Sequence, residues 1–293
     1  MNPNPKYEAL LSELKSLGRV VLAFSGGVDS TFLLRAAREA LGDDLKAVTI
    51  LSPYIPKWEI EEAKQLVAEL GVAYEIIEAP LIDSIRFNPE DRCYLCKTAV
   101  FSLIKENAAR GGYDTVIDGT NFDDIQDYRP GLRALGELGV KSPLRDAGLT
   151  KAEIRALSKE LGLPTWDKPP YACLLTRIPY GSELKVEDFE KIERAETFMM
   201  SLGFRAIRVR CHGDLARLEV AREDRSRLFD EALMDRISAK LKEFGFRYVS
   251  LDLAGYRTGS LNEAIGAASR ANSETPETPA SSANLKNSAE AAG

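Results

Sequence analysis

A short segment of small residues, at positions 25–30, constrains the fold of this chain more than any other feature. It reads Ser-Gly-Gly-Val-Asp-Ser, follows the apolar run 20–24 and precedes a stretch with helical spacing at 31–37. This pattern predicts a buried strand, a tight loop and the start of a helix. The alternative is a plain strand-to-helix turn without a ligand, although the whole hexapeptide is far less common than a pair of glycines.

The residue types of this loop suit a phosphate group. Gly26 and Gly27 let the backbone turn sharply and approach a ligand closely. The loop amides and the first turn of the helix then point at one spot, which favours an anion. Ser25 and Ser30 add hydroxyl donors, and Asp29 is suited to hold Mg²⁺ against phosphate oxygens.

The segment resembles the pyrophosphate loop of the ATP pyrophosphatase superfamily. Those enzymes cleave ATP between its α- and β-phosphates, adenylate a carbonyl or carboxylate oxygen, and let a nitrogen or sulfur nucleophile displace AMP. The Walker pattern Gly-x4-Gly-Lys-Ser/Thr is absent from the sequence, so chemistry at the γ-phosphate is not indicated. The loop therefore predicts adenylation without specifying what is adenylated.

Strand-like and helix-like patterns alternate through the first half of the chain. The apolar runs lie at 19–24, 46–51, 72–77 and 114–118. The helical patterns lie at 5–17, 30–41, 57–70, 94–110 and 150–161, the last with a capping box of Thr150 and Glu153. This alternation predicts an α/β fold, with a doubly wound parallel sheet and helices on both of its faces. Ligands of such sheets bind at the carboxyl ends of the strands, where three loops are expected, at 25–30, 52–56 and 119–124.

A proline-rich stretch at 164–179 interrupts this pattern. We place a domain boundary at its end, with an adenylation domain at 1–180 and a smaller α/β domain at 181–265. The second domain is predicted to contain two helices, at 186–201 and 223–244, and strands at 205–211, 215–220 and 247–252. Residues 266–293 are dominated by Pro, Ser, Ala and Asn, which predicts a disordered tail.

Composition excludes several classes of protein. The 293 residues carry a net charge of −6, with 44% hydrophobic and 29% charged residues, which is typical of a soluble globular protein and argues against a wide nucleic-acid surface. No apolar stretch approaches the roughly 18 residues of a membrane span, so no membrane association is expected. The first residues show no basic region before a long apolar core, so we expect no secretory signal and a cytoplasmic location.

Three of the four cysteines are candidates for chemistry. Cys93 and Cys96 form a Cys-x-x-Cys at the entry to a predicted helix, and Cys173 lies in the proline-rich stretch. Both segments are expected to fold over the carboxyl edge of the sheet, beside the pyrophosphate loop. The three thiolates suit a [4Fe–4S] cluster held through three of its irons, a structural zinc, or a sulfur-carrying Cys173 without a cluster. Cys211 and His212, on a predicted strand of the second domain, are expected to be structural.

Four more sequence blocks follow the pyrophosphate loop. They are Cys-Tyr-Leu-Cys-Lys at 93–97, Asp-Gly-Thr-Asn at 118–121, Tyr-Ala-Cys-Leu-Leu-Thr-Arg-Ile-Pro-Tyr-Gly at 171–181, and Arg-Val-Arg at 208–210. Together with the loop they resemble the LarE family of ATP-dependent sulfur transferases, over about residues 5–262. The resemblance is specific, because the pyrophosphate loop is common to the superfamily and does not by itself predict the other four blocks.

The resemblance implies a particular reaction. ATP with Mg²⁺ adenylates a carboxylate of pyridinium-3,5-biscarboxylic acid mononucleotide, sulfur displaces AMP, and two rounds give the bisthiocarboxylate for the nickel-pincer nucleotide cofactor of lactate racemase. In one branch of the family a single cysteine, aligned with Cys173, surrenders its own sulfur and becomes dehydroalanine. In the other branch three cysteines hold a [4Fe–4S] cluster that carries an extra sulfide. Because Cys93 and Cys96 are present, this sequence matches the cluster branch, which requires a sulfide donor.

Individual roles follow from this reaction. The loop residues named above are expected to hold the phosphates and Mg²⁺, residues 49–52 to line the adenine pocket, and Asn121 to contact the nucleotide. Lys97 and Arg177 lie beside the candidate cluster cysteines, so they and Cys173 are assigned to catalysis, the two cations stabilising negative charge on the acyl adenylate. Surface salt bridges are the alternative for Lys97 and Arg177.

An arginine group is expected to bind the monophosphate of the substrate. Arg208 and Arg210 alternate along a predicted strand, so both side chains face one way, and paired guanidiniums suit a phosphate. Arg257, after the last strand, is placed to join them, and a neighbouring subunit of a homo-oligomer is one source of these arginines. The alternative is a solvated basic face that acidic residues neutralise, namely Glu193, Glu196 and Glu219.

Three other functions compete with the sulfur transferase. A transfer-RNA thiolation enzyme would use the same adenylation step and cysteines, although the acidic balance of the chain weighs against it. An ammonia-using ligase of the NAD synthetase type would leave the cysteines without a task. A non-catalytic iron–sulfur scaffold or sulfur carrier would not need the pyrophosphate loop.

Overall fold

The first half of the chain builds a four-stranded parallel sheet, in agreement with the alternating patterns. A computed structural model describes residues 4–126 and 130–257. The strands are β1 (Val20–Ala23), β2 (Leu45–Leu51), β3 (Ala73–Glu78) and β4 (Thr115–Ile117). They lie in the order β3–β2–β1–β4, and each neighbouring pair is parallel. The predicted α/β fold with a doubly wound parallel sheet is confirmed.

The helices of this region begin and end close to the predicted positions. They are α1 (Pro5–Ser16), α2 (Val28–Leu41), α3 (Lys57–Leu70), α4 (Arg92–Arg110), α5 (Pro130–Glu137), α6 (Pro143–Asp146) and α7 (Lys151–Glu160). The predicted capping box of α7 is present, because the Thr150 hydroxyl accepts from the Glu153 amide and the Glu153 carboxylate accepts from the Thr150 amide. The sequence analysis missed α5 and α6, which are short and begin with a proline that suits the first helical turn.

The two faces of the sheet are covered by different helices. Val20 and Leu22 of β1 pack in one core with α1, α2 and α7, whereas Val21 packs in another with α4 and α5. All three side chains are fully buried. Because successive residues of a strand point to opposite faces, a strand covered on both faces is apolar throughout. This burial explains the continuous apolar run before the loop.

A second, smaller sheet follows the proline-rich segment. Its strands are β5 (Ile207–His212), β6 (Leu215–Val220) and β7 (Tyr248–Leu251), with β5 and β6 antiparallel and β6 and β7 parallel. The flanking helices are α8 (Val186–Ser201) and α9 (Glu231–Glu243). Phe189 and Met199 of α8 share a hydrophobic cluster with Val209 of β5.

The prediction of one long helix at 223–244 is wrong in its first third. Residues Arg222–Phe229 form a 3₁₀ helix in which Leu228 is buried. This segment is mostly charged, so it lacks the apolar stripe that would pack an α-helix against the core. Asp230 then begins α9, because its carboxylate accepts a hydrogen bond from the Leu233 amide at 2.7 Å.

Residues up to Tyr256 belong to one compact unit, and Arg257 is the first residue of a second. Within the first unit, Tyr54 and Ile85 from loops of the parallel sheet share a hydrophobic cluster with Phe189. The boundary at residue 180 stays a prediction, and the predicted tail at 266–293 lies outside the described residues. No helix in the described part of the chain is long and apolar enough to cross a membrane.

Candidate active site

The pyrophosphate loop joins β1 to α2 at the carboxyl end of the parallel sheet. Gly26 has a φ of +68°, in the left-handed region that favours glycine. A Cβ at this position would lie 3.3 Å from the Ala63 Cβ of α3, so loop and helix approach closely. Gly27 is the N-cap of α2, and the hydroxyls of Ser25 and Ser30 lie 3.0 Å apart. A helix N-terminus and two hydroxyl groups therefore meet here, which suits an anion.

A cavity of about 500 Å³ opens at this loop. Ser25, Gly27 and Asp29 line it, and its other walls come from α3, the 119–124 loop, the start of α7 and the proline-rich segment. Its volume lies within the range of small-molecule sites. Three of the five predicted loop residues, together with Asn121, thus line one cavity, whereas Gly26 and Ser30 are not on its wall.

Asp29 presents a free carboxylate oxygen at this cavity. Its Oδ2 accepts a hydrogen bond from Lys151 Nζ at 2.5 Å. Its Oδ1 is buried without a hydrogen-bond partner among the described residues. A buried, unpaired carboxylate oxygen is costly unless something fills its place. The residue therefore fits the Mg²⁺ that the pyrophosphate-loop family implies.

The 119–124 loop packs tightly against the start of α2. A Cβ on Gly119 would lie 3.0 Å from the Ser30 amide nitrogen. Asp118 anchors the loop, because its carboxylate accepts from the hydroxyls of Thr120 and Ser142. The side-chain oxygen of buried Asn121 accepts from the Asp123 amide at 2.9 Å, which shapes the cavity wall. The predicted contact of Asn121 with the nucleotide stays a prediction.

Lys168 joins the proline-rich segment to the pyrophosphate loop. Its ammonium donates to the Gly26 carbonyl at 3.0 Å and to Glu62 Oε2 at 2.6 Å. It also lies 5.6 Å from the ring centroid of Trp58 and 5.9 Å from that of Tyr171, within cation–π range. The segment that carries Cys173 is thereby held against the phosphate end of the cavity.

The three candidate cysteines lie within electrostatic reach of one another. Cys93 is exposed, whereas Cys96 and Cys173 are half-buried. The pKa of the Cys173 thiol is raised to about 11, mainly by burial and also by Cys93 and Cys96, with Arg92 and Arg177 opposing the shift. These effects show that the 93–96 segment and Cys173 lie near each other, and that they face a substrate beside the pyrophosphate loop stays a prediction.

The thiols do not form a ready metal site. No three His, Cys, Asp or Glu side chains in the described part of the chain are arranged to hold a metal ion. The Tyr54 hydroxyl lies 3.4 Å from Cys96 Sγ, so it occupies part of the space around that sulfur. The [4Fe–4S] cluster on Cys93, Cys96 and Cys173 therefore stays a prediction. Cys211 is buried apart from them, 3.4 Å from the Gly213 carbonyl oxygen.

Arg177 is buried, so it does not form a surface salt bridge. Its guanidinium makes two hydrogen bonds of 2.8 Å with the Glu196 carboxylate. It also donates to the carbonyls of Ala172 and Cys173. Arg177 thus fixes the backbone on both sides of the Cys173 side chain. Lys97 instead lies 5.9 Å from the Phe101 ring centroid. The catalytic roles of Arg177 and Lys97 stay predictions.

Arg208 and Arg210 are buried, and their guanidinium groups donate hydrogen bonds to other groups of the protein. Arg210 makes a bidentate pair with Glu219, at 2.7 and 2.9 Å, and donates to the Thr176 carbonyl. Arg208 donates to the Pro170 carbonyl at 2.9 Å and to the Tyr256 hydroxyl at 3.3 Å. Of the three predicted neutralising acids, only Glu219 pairs with these arginines among the described contacts. Their binding of a substrate phosphate stays a prediction, as does the role of Arg257 in the second unit.

Glu59 is a cavity residue that the sequence analysis missed. It lies in the first turn of α3 and lines the cavity of the pyrophosphate loop. Its Oε1 is buried without a hydrogen-bond partner among the described residues. Burial raises the pKa of the carboxyl to about 7, although Lys168 and Arg177 oppose this shift. No local motif marks Glu59 or Lys168, because their environment comes from distant segments.

Several known proteins are similar in sequence to this chain. The family model described as NAD synthase matches residues 8–109. The pyridinium-3,5-bisthiocarboxylic acid mononucleotide synthase of Lactiplantibacillus plantarum is 38% identical over 264 residues, which cover 89% of this chain and 95% of that protein. An uncharacterized protein of Synechocystis sp. is 39% identical over 262 residues, 89% of this chain and 98% of its own length. An uncharacterized protein of Methanocaldococcus jannaschii is 35% identical over 243 residues, 82% of this chain and 91% of that protein.

Proposed function

The chain belongs to the LarE family, which includes the synthase of Lactiplantibacillus plantarum, and from this membership we propose that it is an ATP-dependent sulfur transferase. Its substrate is pyridinium-3,5-biscarboxylic acid mononucleotide, and its product is the bisthiocarboxylate. One structural observation carries the proposal. The cavity at the pyrophosphate loop is lined in part by Pro169, Pro170 and Tyr171, the residues that lead directly to Cys173. Activation and sulfur delivery are therefore proposed to take place at neighbouring points.

The residues of the loop suit the activation step. Ser25, Ser30 and the amides at the start of α2 bind and orient the phosphates, and Asp29 with its free Oδ1 holds Mg²⁺. ATP, when bound, supplies the adenylyl group that turns the substrate carboxylate into a mixed anhydride with AMP as leaving group. Lys151, paired with Asp29, adds positive charge where negative charge is shared among the phosphates.

The sulfur source is the second part of the proposal. The proximity of Cys93, Cys96 and Cys173 supports a [4Fe–4S] cluster that carries the sulfide. A sacrificial Cys173 and a structural zinc are the two alternatives. Iron, acid-labile sulfide and zinc analysis of protein purified without oxygen distinguishes these three. We also propose that the protein is a cytoplasmic homo-oligomer, which light scattering and cell fractionation test.

The deciding experiment measures products. Protein prepared without oxygen is incubated with ATP, Mg²⁺, hydrosulfide and the biscarboxylate nucleotide, and product mass and AMP are quantified. Thiocarboxylate is expected with one AMP for each sulfur transferred, and more than one sulfur per chain excludes a purely sacrificial Cys173. Cys173→Ala should abolish the product, whereas Cys211→Ala, the matched control at a buried cysteine, should retain it. Absence of AMP and thiocarboxylate in the wild type would refute the proposed function.

A further inference from the structure

Glu59 is a cavity residue with an unsatisfied buried oxygen. It lines the cavity that contains Asp29 and the pyrophosphate loop. It also interacts electrostatically with Arg177, whose guanidinium donates to the Cys173 carbonyl. The carboxyl therefore lies on the wall of the pyrophosphate-loop cavity and within electrostatic range of an arginine that binds the Cys173 backbone. Its Oε1 is buried and has no partner in the described part of the chain, so it is an unsatisfied acceptor next to this cavity.

Charged neighbours surround this carboxyl without neutralising Oε1. The groups that face it are Glu62 on the same helix, Lys168 and Tyr171 on the proline-rich segment, Arg177 on the 3₁₀ helix after Cys173, and Arg208 on β5. Lys168 is held by Glu62 and the Gly26 carbonyl, and Arg177 by Glu196. The cations thus attract Glu59 at a distance while their own hydrogen bonds go elsewhere.

We propose that the Glu59 carboxylate accepts the S–H proton when sulfur attacks the acyl adenylate, a role that rests on the function proposed above. The hydrosulfide sulfur forms the C–S bond, and the C–O bond to the phosphate breaks. The electron pair of that bond leaves with AMP, and the S–H proton passes to Glu59, which later releases it to solvent. The products are thiocarboxylate and AMP, and nothing is oxidised or reduced.

The environment of Glu59 suits a proton acceptor. A general base is most effective when its pKa lies near the working pH, and burial raises the pKa of this carboxyl to about 7. The neighbouring guanidinium of Arg177 stabilises the ionised form before the transfer. Asp29, whose Oδ2 is paired with Lys151, serves the phosphate end of the same cavity. The two carboxylates are therefore assigned separate tasks.

Two half-reactions separate this role from the function as a whole. Exchange of labelled pyrophosphate into ATP, in the presence of the biscarboxylate nucleotide, reports adenylation. Single-turnover formation of thiocarboxylate, with the hydrosulfide anion at constant concentration across the pH series, reports sulfur transfer. The variants are Glu59→Gln, Glu59→Asp and the matched control Glu61→Gln, an exposed carboxylate on the same helix that pairs with Lys64.

For Glu59→Gln we expect pyrophosphate exchange within about twofold of the wild type and transfer slowed at least about 100-fold. Glu59→Asp should retain more of the transfer rate, and Glu61→Gln should match the wild type. Because the base acts when deprotonated, the wild-type transfer rate should rise with pH through about 7, and Glu59→Gln should lack this rise. Infrared titration of the substrate-free protein should show a carboxyl band that ionises near the same pH and disappears in Glu59→Gln.

The other results are equally decisive. If the wild type forms no thiocarboxylate, the proposed function and this inference both fail. If the wild type forms it and Glu59→Gln transfers sulfur at the same rate, only the inference fails. A variant that loses pyrophosphate exchange and transfer together would place Glu59 in adenylation instead, which also overturns the inference.

Discussion

At the scale of single residues, the buried pair of Arg177 and Glu196 determines how Cys173 is presented. Two charges in the interior are stabilised only by close geometry and by further hydrogen bonds. Both conditions hold, because Glu196 also accepts from the Val209 amide and Arg177 also donates to two carbonyls. The pair therefore links α8, β5 and the cysteine segment.

Removing one partner of this pair should be costly. For Glu196→Ala we expect a loss of about 3–5 kcal/mol in the free energy of unfolding, because the Arg177 charge and the Val209 amide are left buried and unpaired. Urea unfolding measures this loss. The control Glu243→Ala, in an exposed pair with Lys240, should cost less than about 1 kcal/mol. Equal effects of the two variants would contradict the structural role of the pair.

Glu59 should make stability depend on pH. The pKa of this carboxyl is about 7 in the folded protein against 4.5 when exposed, so the folded chain holds the proton more tightly. Its contribution is fully present below pH 4.5 and is lost as the pH rises through about 7. Denaturant unfolding should therefore show the wild type losing up to about 3 kcal/mol relative to Glu59→Gln between these limits. A difference that stays constant with pH would exclude the raised pKa.

At the scale of elements, the pyrophosphate loop depends on its fit to α3. The left-handed Gly26 is packed against Ala63, whereas Gly71 has a similar φ of +62° with no atom near its Cβ position. Comparing substitutions at Gly26 and Gly71 therefore separates the loss of stability that comes from the left-handed backbone from the loss that comes from the contact with Ala63.

We expect Gly26→Ala to lower the free energy of unfolding by about 1–2 kcal/mol and to weaken ATP binding, because both the backbone and the contact with Ala63 are strained. Gly71→Ala should lose similar stability at the backbone but keep the affinity for ATP. Calorimetric titration with Mg²⁺-ATP checks the affinities. An unchanged affinity in Gly26→Ala would show that the loop tolerates the shift.

The elements were predictable wherever local sequence and burial agree. The strand β1 is buried on both faces, so its apolar run was sufficient to identify it. The Thr150 capping box was likewise visible in the sequence, because it involves residues three positions apart. The 222–229 segment was not predictable as a 3₁₀ helix, because its charged residues have high helix propensity and only the missing core contact opposes an α-helix.

At the scale of the whole molecule, Lys168 holds the proline-rich segment on the parallel-sheet region. Its hydrogen bonds to Gly26 and Glu62 join three parts of the chain that are far apart in sequence. Sequence analysis identified the loop and the cysteines because each is a local motif. It missed Lys168 and Glu59 because a lysine or a glutamate gains its role only from the segments that pack around it.

Lys168→Met should loosen this attachment while keeping most of the apolar stem. Hydrogen exchange of the amides around residues 165–174 should accelerate, and sulfur transfer should fall more than adenylation does. Lys64→Met, on an exposed face of α3, is the control and should leave hydrogen exchange in this segment and the ratio of sulfur transfer to adenylation unchanged. If exchange in the segment is unaffected, other contacts hold it in place.

The close approach of Gly26 to Ala63 has a consequence for protein engineering. A designer who transplants the Ser-Gly-Gly-Val-Asp-Ser hexapeptide into a foreign scaffold copies only one side of that approach. The scaffold that receives the loop must also have a helix beside it, with a small side chain at the position that corresponds to Ala63. The smallest unit that can be transplanted is therefore the strand, the loop and the two helices, not the hexapeptide alone.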